Sequence, residues 1–175
     1  MRKFILLLLC CTSLYAVDVG KFILPVPEKY RDCISSGQGL REALDEKETG
    51  TVSTTGMYHY AIDWAVPDQT PVYAAKDGVV ITCYPGYFNG GAEWKGEKFY
   101  GSCIVLQHSD GTQSMYAHLS RTDVKTGDTV RAGQQIALSG GVRGRRASGT
   151  STGPHLHFCM LLNLKEFLYV GDEEN

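Results

Sequence analysis

The chain has almost no charge bias: 17 lysines and arginines stand against 19 aspartates and glutamates in 175 residues, for a net charge of −2. Binding nucleic acid through a broad basic face is thereby excluded as its main activity. Long apolar runs are also missing. The longest, Phe4 to Cys11, falls well short of the ~20 residues that a membrane-spanning helix needs. No C-x-x-C pair occurs, which argues against a cysteine-type structural zinc site. No long stretch of period 3.6 occurs either, which argues against a helical bundle. What is plentiful is glycine, with 20 residues, and tyrosine, with 10, distributed among short segments. That composition leans towards a β-rich class. The length allows one domain with a real core and is too short for two large ones.

The N-terminus stands apart. Arg2 and Lys3 precede the apolar run, and small and polar residues follow it to Ala16. Residues 1–16 therefore have the form of a secretory signal, with cleavage after Ala16 despite the large Leu14 at the −3 position. Lipid attachment at Cys10 or Cys11 suits the sequence less, because neither follows a small residue. The expectation is export to the periplasm, cell wall or medium, with no membrane span after cleavage. Cys33, Cys83, Cys103 and Cys159 then remain, and in an oxidising compartment they allow one or two disulfides in three full pairings. Cys83 and Cys103 flank one long connection and are placed to close it.

Residues 17–50 are poorly patterned. Pro25 and Pro27 predict an extended arm, and Leu40 to Glu48 predict a short helix, together an N-terminal extension lying against the domain. The domain proper is expected over 51–170, with an acidic tail at 171–175. Short strands are predicted at Pro71 to Ala75, Gly78 to Tyr84, Ser102 to His108 and Thr112 to His118. The last two form a hairpin closed at Ser109-Asp110-Gly111-Thr112, where Asp-Gly is a strong turn signal. Gly127-Asp128 and Ala132-Gly133 punctuate two more, ending with Gln135 to Ser139. Strands this short and closely spaced imply a mostly antiparallel sheet, curled or doubled into a sandwich. Two connections exceed what folding demands. Pro85 to Gly101 is rich in aromatic residues, and Gly140 to Gly153 carries Arg143, Arg145 and Arg146.

The chemistry concentrates around Ser151-Thr152-Gly153-Pro154-His155-Leu156-His157-Phe158. Gly-Pro reads as a turn delivering a strand. Alternation then puts His155, His157 and Cys159 on one face, with Leu156 and Phe158 on the other. Folding alone does not require two imidazoles side by side; they share protons or they share a metal. His59 lies four residues before Asp63, and His118 lies on a strand whose alternation predicts a face shared with Tyr116. One carboxylate with three or four imidazoles is the ligand set of a catalytic zinc site with an open position. His108 fits no such role and reads as structural.

With those residues in hand, the chain resembles the M23 (lysostaphin- and LytM-like) zinc metallopeptidases from about Tyr58 to Phe158. The match comprises His59-x-x-x-Asp63, Thr70-Pro71-Val72-Tyr73-Ala74, Asp77-Gly78-Val79-Val80 and Tyr116-Ala117-His118-Leu119-Ser120. It continues through Val124 to Val130 and Ala132 to Ile136, and ends on Gly153-Pro154-His155-Leu156-His157-Phe158. The resemblance implies a small antiparallel β domain of the LytM-like type with a groove across its sheet. It implies one Zn²⁺ per chain held by His59, Asp63 and His157, with His118 and His155 as catalytic histidines beside it. It implies an endopeptidase acting on bacterial peptidoglycan, and D,D cross-links as the expected target. The alternative within the family is a non-catalytic activator of other wall hydrolases. Three departures stand out: Ala61 where glycine is usual, Cys159 where an acidic residue is common, and a longer arginine-bearing loop. None falls on a ligand or catalytic position.

Overall fold

Gly153 and Pro154 turn the chain into a strand, β12 (Leu156–Leu161), whose alternation separates the two faces of the structure. Leu156 and Phe158 enter the main hydrophobic core, whereas His157 and Cys159 point to the opposite side. The computed structural model of the chain describes residues 22–37, 39–40, 58–59, 61–85 and 100–161. Among them, the helical residues are Tyr100 and two 3-10 turns, Glu28–Tyr30 and Arg146–Ser148.

The main sheet is antiparallel and seven-stranded. Within it β12 is flanked by β4 (Ile62–Trp64) and β8 (Gln113–Ala117). Outwards from β4 lies β1 (Ile34–Ser36). Outwards from β8 come β7 (Cys103–Gln107), β6 (Gly78–Tyr84) and β10 (Thr129–Val130). β7 and β8 form the hairpin predicted at Asp110-Gly111, where Gly111 takes a positive φ of 85°. A three-stranded sheet of β5 (Pro71–Tyr73), β11 (Gln135–Ser139) and β9 (Leu119–Thr122) covers one face of the larger one. Val72, Leu119, Ile136 and Ala137 from the small sheet meet Trp64, Val80, Ile104, Leu106, Tyr116, Leu156 and Phe158 from the large one. A two-stranded ribbon pairs β2 (Gly39–Leu40) with β3 (Tyr58–His59). The mostly β, antiparallel class expected from the sequence is the one observed.

Three expectations need correction or a limit. The four thiols of Cys33, Cys83, Cys103 and Cys159 are all free. Cys83 pairs in register with Ile104 and packs on the main core, while Cys103 lies in the second apolar cluster across the sheet. Neighbouring strands thus carry the two thiols on opposite faces, a geometry no disulfide spans. The helix predicted over Leu40 to Glu48 begins as strand at Leu40, and the rest of that span lies outside the described residues. Residues 86–99 of the aromatic connection lie outside them as well.

The extension before the domain is tightly joined to it. Val26 is a core residue, Ile23 N–H donates to the Ala75 carbonyl at 2.9 Å, and Tyr73 N–H donates to the Pro25 carbonyl at 2.9 Å. Phe22 packs edge-on against the His108 ring and lies under the Lys76 ammonium. His108 itself takes part in a buried polar chain: Nδ1–H donates to the Asp77 carbonyl at 2.7 Å, and Nε2 meets Ser114 Oγ at 2.9 Å. Burial pushes its pKa down, so the ring is a neutral, structural group away from the other four histidines.

Candidate metal centre

The face of the main sheet turned away from the core gathers the remaining histidines. In register across three strands, Asp63 of β4 opposes His157 of β12, and His157 opposes Ala117 of β8. Asp63 and His157 therefore stand side by side on adjacent strands, and His157 Nδ1–H donates to Asp63 Oδ1 at 2.9 Å. His59, at the end of β3, reaches the same carboxylate, with Nε2 3.3 Å from Asp63 Oδ2. All three residues are buried.

His118 arrives differently from the alternation argument. Tyr116 faces the main core, where its hydroxyl accepts from Ala75 N–H at 2.7 Å. His118 stands on the opposite side, its ring centroid 4.7 Å from that of His155 and 5.4 Å from that of His157. The cause is a positive φ of 58° at His118, between β8 and β9, which breaks the alternation and turns the side chain over. Such a conformation costs a non-glycine residue on the order of 1–3 kcal/mol. His118 N–H donates to the Tyr100 carbonyl and Leu119 N–H to the Ser102 carbonyl, which hold the turn in place.

His155 sits just before β12, paired with Gly140 in an isolated bridge. Its Nδ1–H donates to the Gly153 carbonyl at 2.8 Å, with Ser151 Oγ 3.1 Å away. That fixes Nε2 as the nitrogen facing the site, 3.8 Å from Asp63 Oδ1. Gly140 leaves no room for a side chain: an added Cβ would lie 2.6 Å from the His118 carbonyl oxygen and 2.8 Å from Ser120 N. At Gly141 it would lie 2.7 Å from the Gly153 oxygen and 2.9 Å from His155 N. The Gly-Gly step is thus where the two histidine-bearing segments meet.

Two triads of donor atoms result, His59/Asp63/His157 and His118/His155/His157, each with its atoms within 4.8 Å of one another. Their electrostatics differ. Burial raises the Asp63 carboxyl, but the His157 and His59 rings beside it outweigh that and hold the group well below the ordinary carboxylate range. Asp63 is therefore anionic at any physiological pH. Burial, reinforced by His157 and His155, pushes His118 down to about 3. Burial also lowers His157, against the pull of Asp63. The first triad combines a fixed negative charge with imidazoles, whereas the second has imidazoles alone.

The donor set fits a zinc ion on this structure's own evidence. His59 Nε2, His157 Nε2 and His118 Nδ1 are buried without a hydrogen-bond partner among the described residues, which is costly unless something else satisfies them. The unpartnered His59 nitrogen faces a carboxylate oxygen at 3.3 Å, close to the roughly 3.4 Å edge of a tetrahedron built on zinc bonds of 2.0–2.1 Å. Cys159 does not compete for the metal. Burial and the neighbouring Asp63 charge push its thiol up to about 12, in an apolar cluster with Cys103, Val105 and Met115.

All five residues expected of the site are thus brought together. Missed from the sequence were Gly140 and Gly141, whose adjacency was the available signal, and Ser36 and Gly37, which lie in a stretch without any pattern. All three arginines of the long loop are exposed, and Arg145 pairs with Asp68 at 2.6 Å.

Comparison with known proteins gives concordant matches. The sequence model of peptidase family M23 matches residues 57–167. The peptidoglycan DD-endopeptidase ShyA of Vibrio cholerae is 33% identical over 138 residues, covering 79% of this chain and 26% of that protein. A zinc-containing peptidase from Vibrio cholerae superimposes with a TM-score of 0.62 at 33% identity, over 81% of this chain and 37% of the other. The catalytic domain of lysostaphin from Staphylococcus simulans does so with a TM-score of 0.55 at 31% identity, over 75% and 80%. The chain spans about a fifth to a quarter of the length of the curated relatives it matches.

Proposed function

This chain belongs to peptidase family M23, and from that premise we propose that it is a zinc-dependent endopeptidase cutting the peptide part of bacterial peptidoglycan. The observation that carries the proposal is the buried Asp63 carboxylate, approached by His59 and His157 nitrogens at 3.3 and 2.9 Å with His118 and His155 alongside. Zinc is the metal the donor set suits best, and His59, Asp63 and His157 would hold it. When bound, zinc polarises a carbonyl and lowers the pKa of water from 15.7 to about 7.

The chain's own residues supply the rest of the mechanism. His118 is neutral at neutral pH, the state required to accept a proton. His155 is held by Gly153 and Ser151 so that Nε2 faces the reacting space. One of the pair takes the proton of the attacking water and delivers it to the departing amine. The other steadies the water or the oxyanion that develops on the carbonyl. Asp63 keeps its charge throughout and orients His157.

The substrate follows from chemistry and relatives together. Zinc with two histidines suits amide hydrolysis, and among the described residues the site has no second carboxylate for glycoside hydrolysis. Three of the curated relatives are named peptidoglycan DD-endopeptidases, which favours D,D cross-links over glycine bridges. Arg143, exposed on the loop that leads to His155, is placed to meet a substrate carboxylate. The activator alternative loses ground because every ligand and catalytic position is filled. Such a substrate requires export, in keeping with a signal at residues 1–16 and a processed chain beginning near Val17.

Muropeptide analysis tests the substrate. Cross-linked peptidoglycan treated with the zinc-loaded protein is expected to yield new peptide monomers from dimers, with glycan strands intact. Cleaved oligoglycine would move the assignment to bridge peptides. Shortened glycans with intact peptides would refute it.

A further inference from the structure

The N-terminal arm reaches the ligands themselves. β1 pairs with β4 so that Ile34 opposes Trp64 and Ser36 opposes Asp63. Side bonds reinforce the pairing. Ser35 Oγ–H donates to the Asp63 carbonyl at 3.2 Å, Ala65 N–H to the Cys33 carbonyl at 2.7 Å, and Trp64 Nε1–H to the Arg31 carbonyl at 3.2 Å. Immediately after β1, the Gly37 carbonyl oxygen lies 2.9 Å from His59 Nδ1, and Ser36 Oγ lies 3.2 Å from the same nitrogen.

A carbonyl oxygen only accepts, so that contact is a hydrogen bond only when His59 Nδ1 carries the proton. In a neutral ring Nε2 is then a bare lone pair, and this is the nitrogen that stands 3.3 Å from Asp63 Oδ2 without a hydrogen bond. Two electron-rich atoms facing each other in a buried place call for a cation between them. A histidine that ligates a metal characteristically donates its other N–H to a carbonyl or carboxylate, which fixes the ring and strengthens the ligand.

We propose that the N-terminal arm is a working part of the metal site: through the Gly37 carbonyl it holds His59 as the Nδ1–H tautomer and presents Nε2 to the metal. This rests on the zinc reading above and adds to it a positioning element from outside the M23-matched residues, which begin at 57. The same five-residue stretch, Cys33 to Gly37, touches the backbone of one ligand and the ring of another. Displacing it would loosen both.

Two measurements test the role. In zinc-loaded protein, long-range ¹H–¹⁵N correlation spectra of the histidine rings are expected to show His59 with a retained Hδ1 and with zinc on Nε2. Zinc on Nδ1 would overturn the proposal. The second is chelator competition on Ser36→Pro, which removes a backbone N–H from the segment preceding Gly37. It is expected to weaken zinc binding by about 10–100-fold, the range for losing an outer-shell partner. Unchanged zinc affinity in folded Ser36→Pro would count against the arm. Should Ser36→Pro not fold, the ring spectra of the wild type decide alone. A folded wild type that takes up no zinc contradicts the functional reading itself, whereas uptake through His59 Nδ1 contradicts only the arm's role.

Discussion

Asp63→Asn is expected to remove the metal and the activity together. The substitution keeps the size of the side chain and abolishes the one fixed negative charge in the cluster. That charge is what distinguishes the His59/Asp63/His157 triad from the three imidazoles of His118/His155/His157. An amide presents a poorer donor to a dication and carries no charge to offset the ion. Losing a second-layer partner of a metal ligand costs about 10–100-fold in affinity, so losing a direct ligand should exceed that. Chelator competition is expected to show zinc affinity reduced by more than about 100-fold, with hydrolysis falling in step with occupancy. Asp63→Asn that retains one zinc at wild-type affinity would mean that the ligands lie elsewhere.

The second large effect separates catalysts from ligands. His118→Ala and His155→Ala are each expected to lower kcat by roughly 10²–10⁴-fold, the range for removing a general acid–base group, while zinc stays bound. His118 needs a control, because its φ of 58° strains any residue with a Cβ. His118→Gly relaxes the backbone and still deletes the ring, so its turnover should be as low as that of His118→Ala even though its stability is higher. His157→Ala, by contrast, should lose the metal. If His118→Ala or His155→Ala sheds zinc as readily as His157→Ala, the division between the two triads is wrong.

The sequence was legible where chemistry and periodicity coincide. In β12 the alternation of Leu156 and Phe158 with His157 and Cys159 is both a folding pattern and a placement of functional groups, and the structure keeps it. The Asp110-Gly111 hairpin was legible for the same reason: a local turn preference specifies a local structure. Failures came where local pattern meets a tertiary demand. Alternation placed His118 with Tyr116, yet the core claims Tyr116 while the site claims His118, and a left-handed residue between β8 and β9 reconciles them. Spacing suggested that Cys83 and Cys103 join, but adjacent strands present them to opposite faces. The arm was opaque for a different reason. Ser36 and Gly37 act through a carbonyl and a hydroxyl whose usefulness depends on pairing with β4, and no residue type announces that. Gly140 was equally silent, since its role is the space it leaves beside the His118 carbonyl.

The central claim is that His59, Asp63 and His157 form a zinc site. Anomalous diffraction at the zinc edge, on crystals of the zinc-loaded protein, tests it most directly. The account predicts one peak per chain, bonded to His59 Nε2, Asp63 and His157 at 2.0–2.2 Å. A peak centred among His118, His155 and His157, or no peak in folded protein crystallised with zinc, would contradict it.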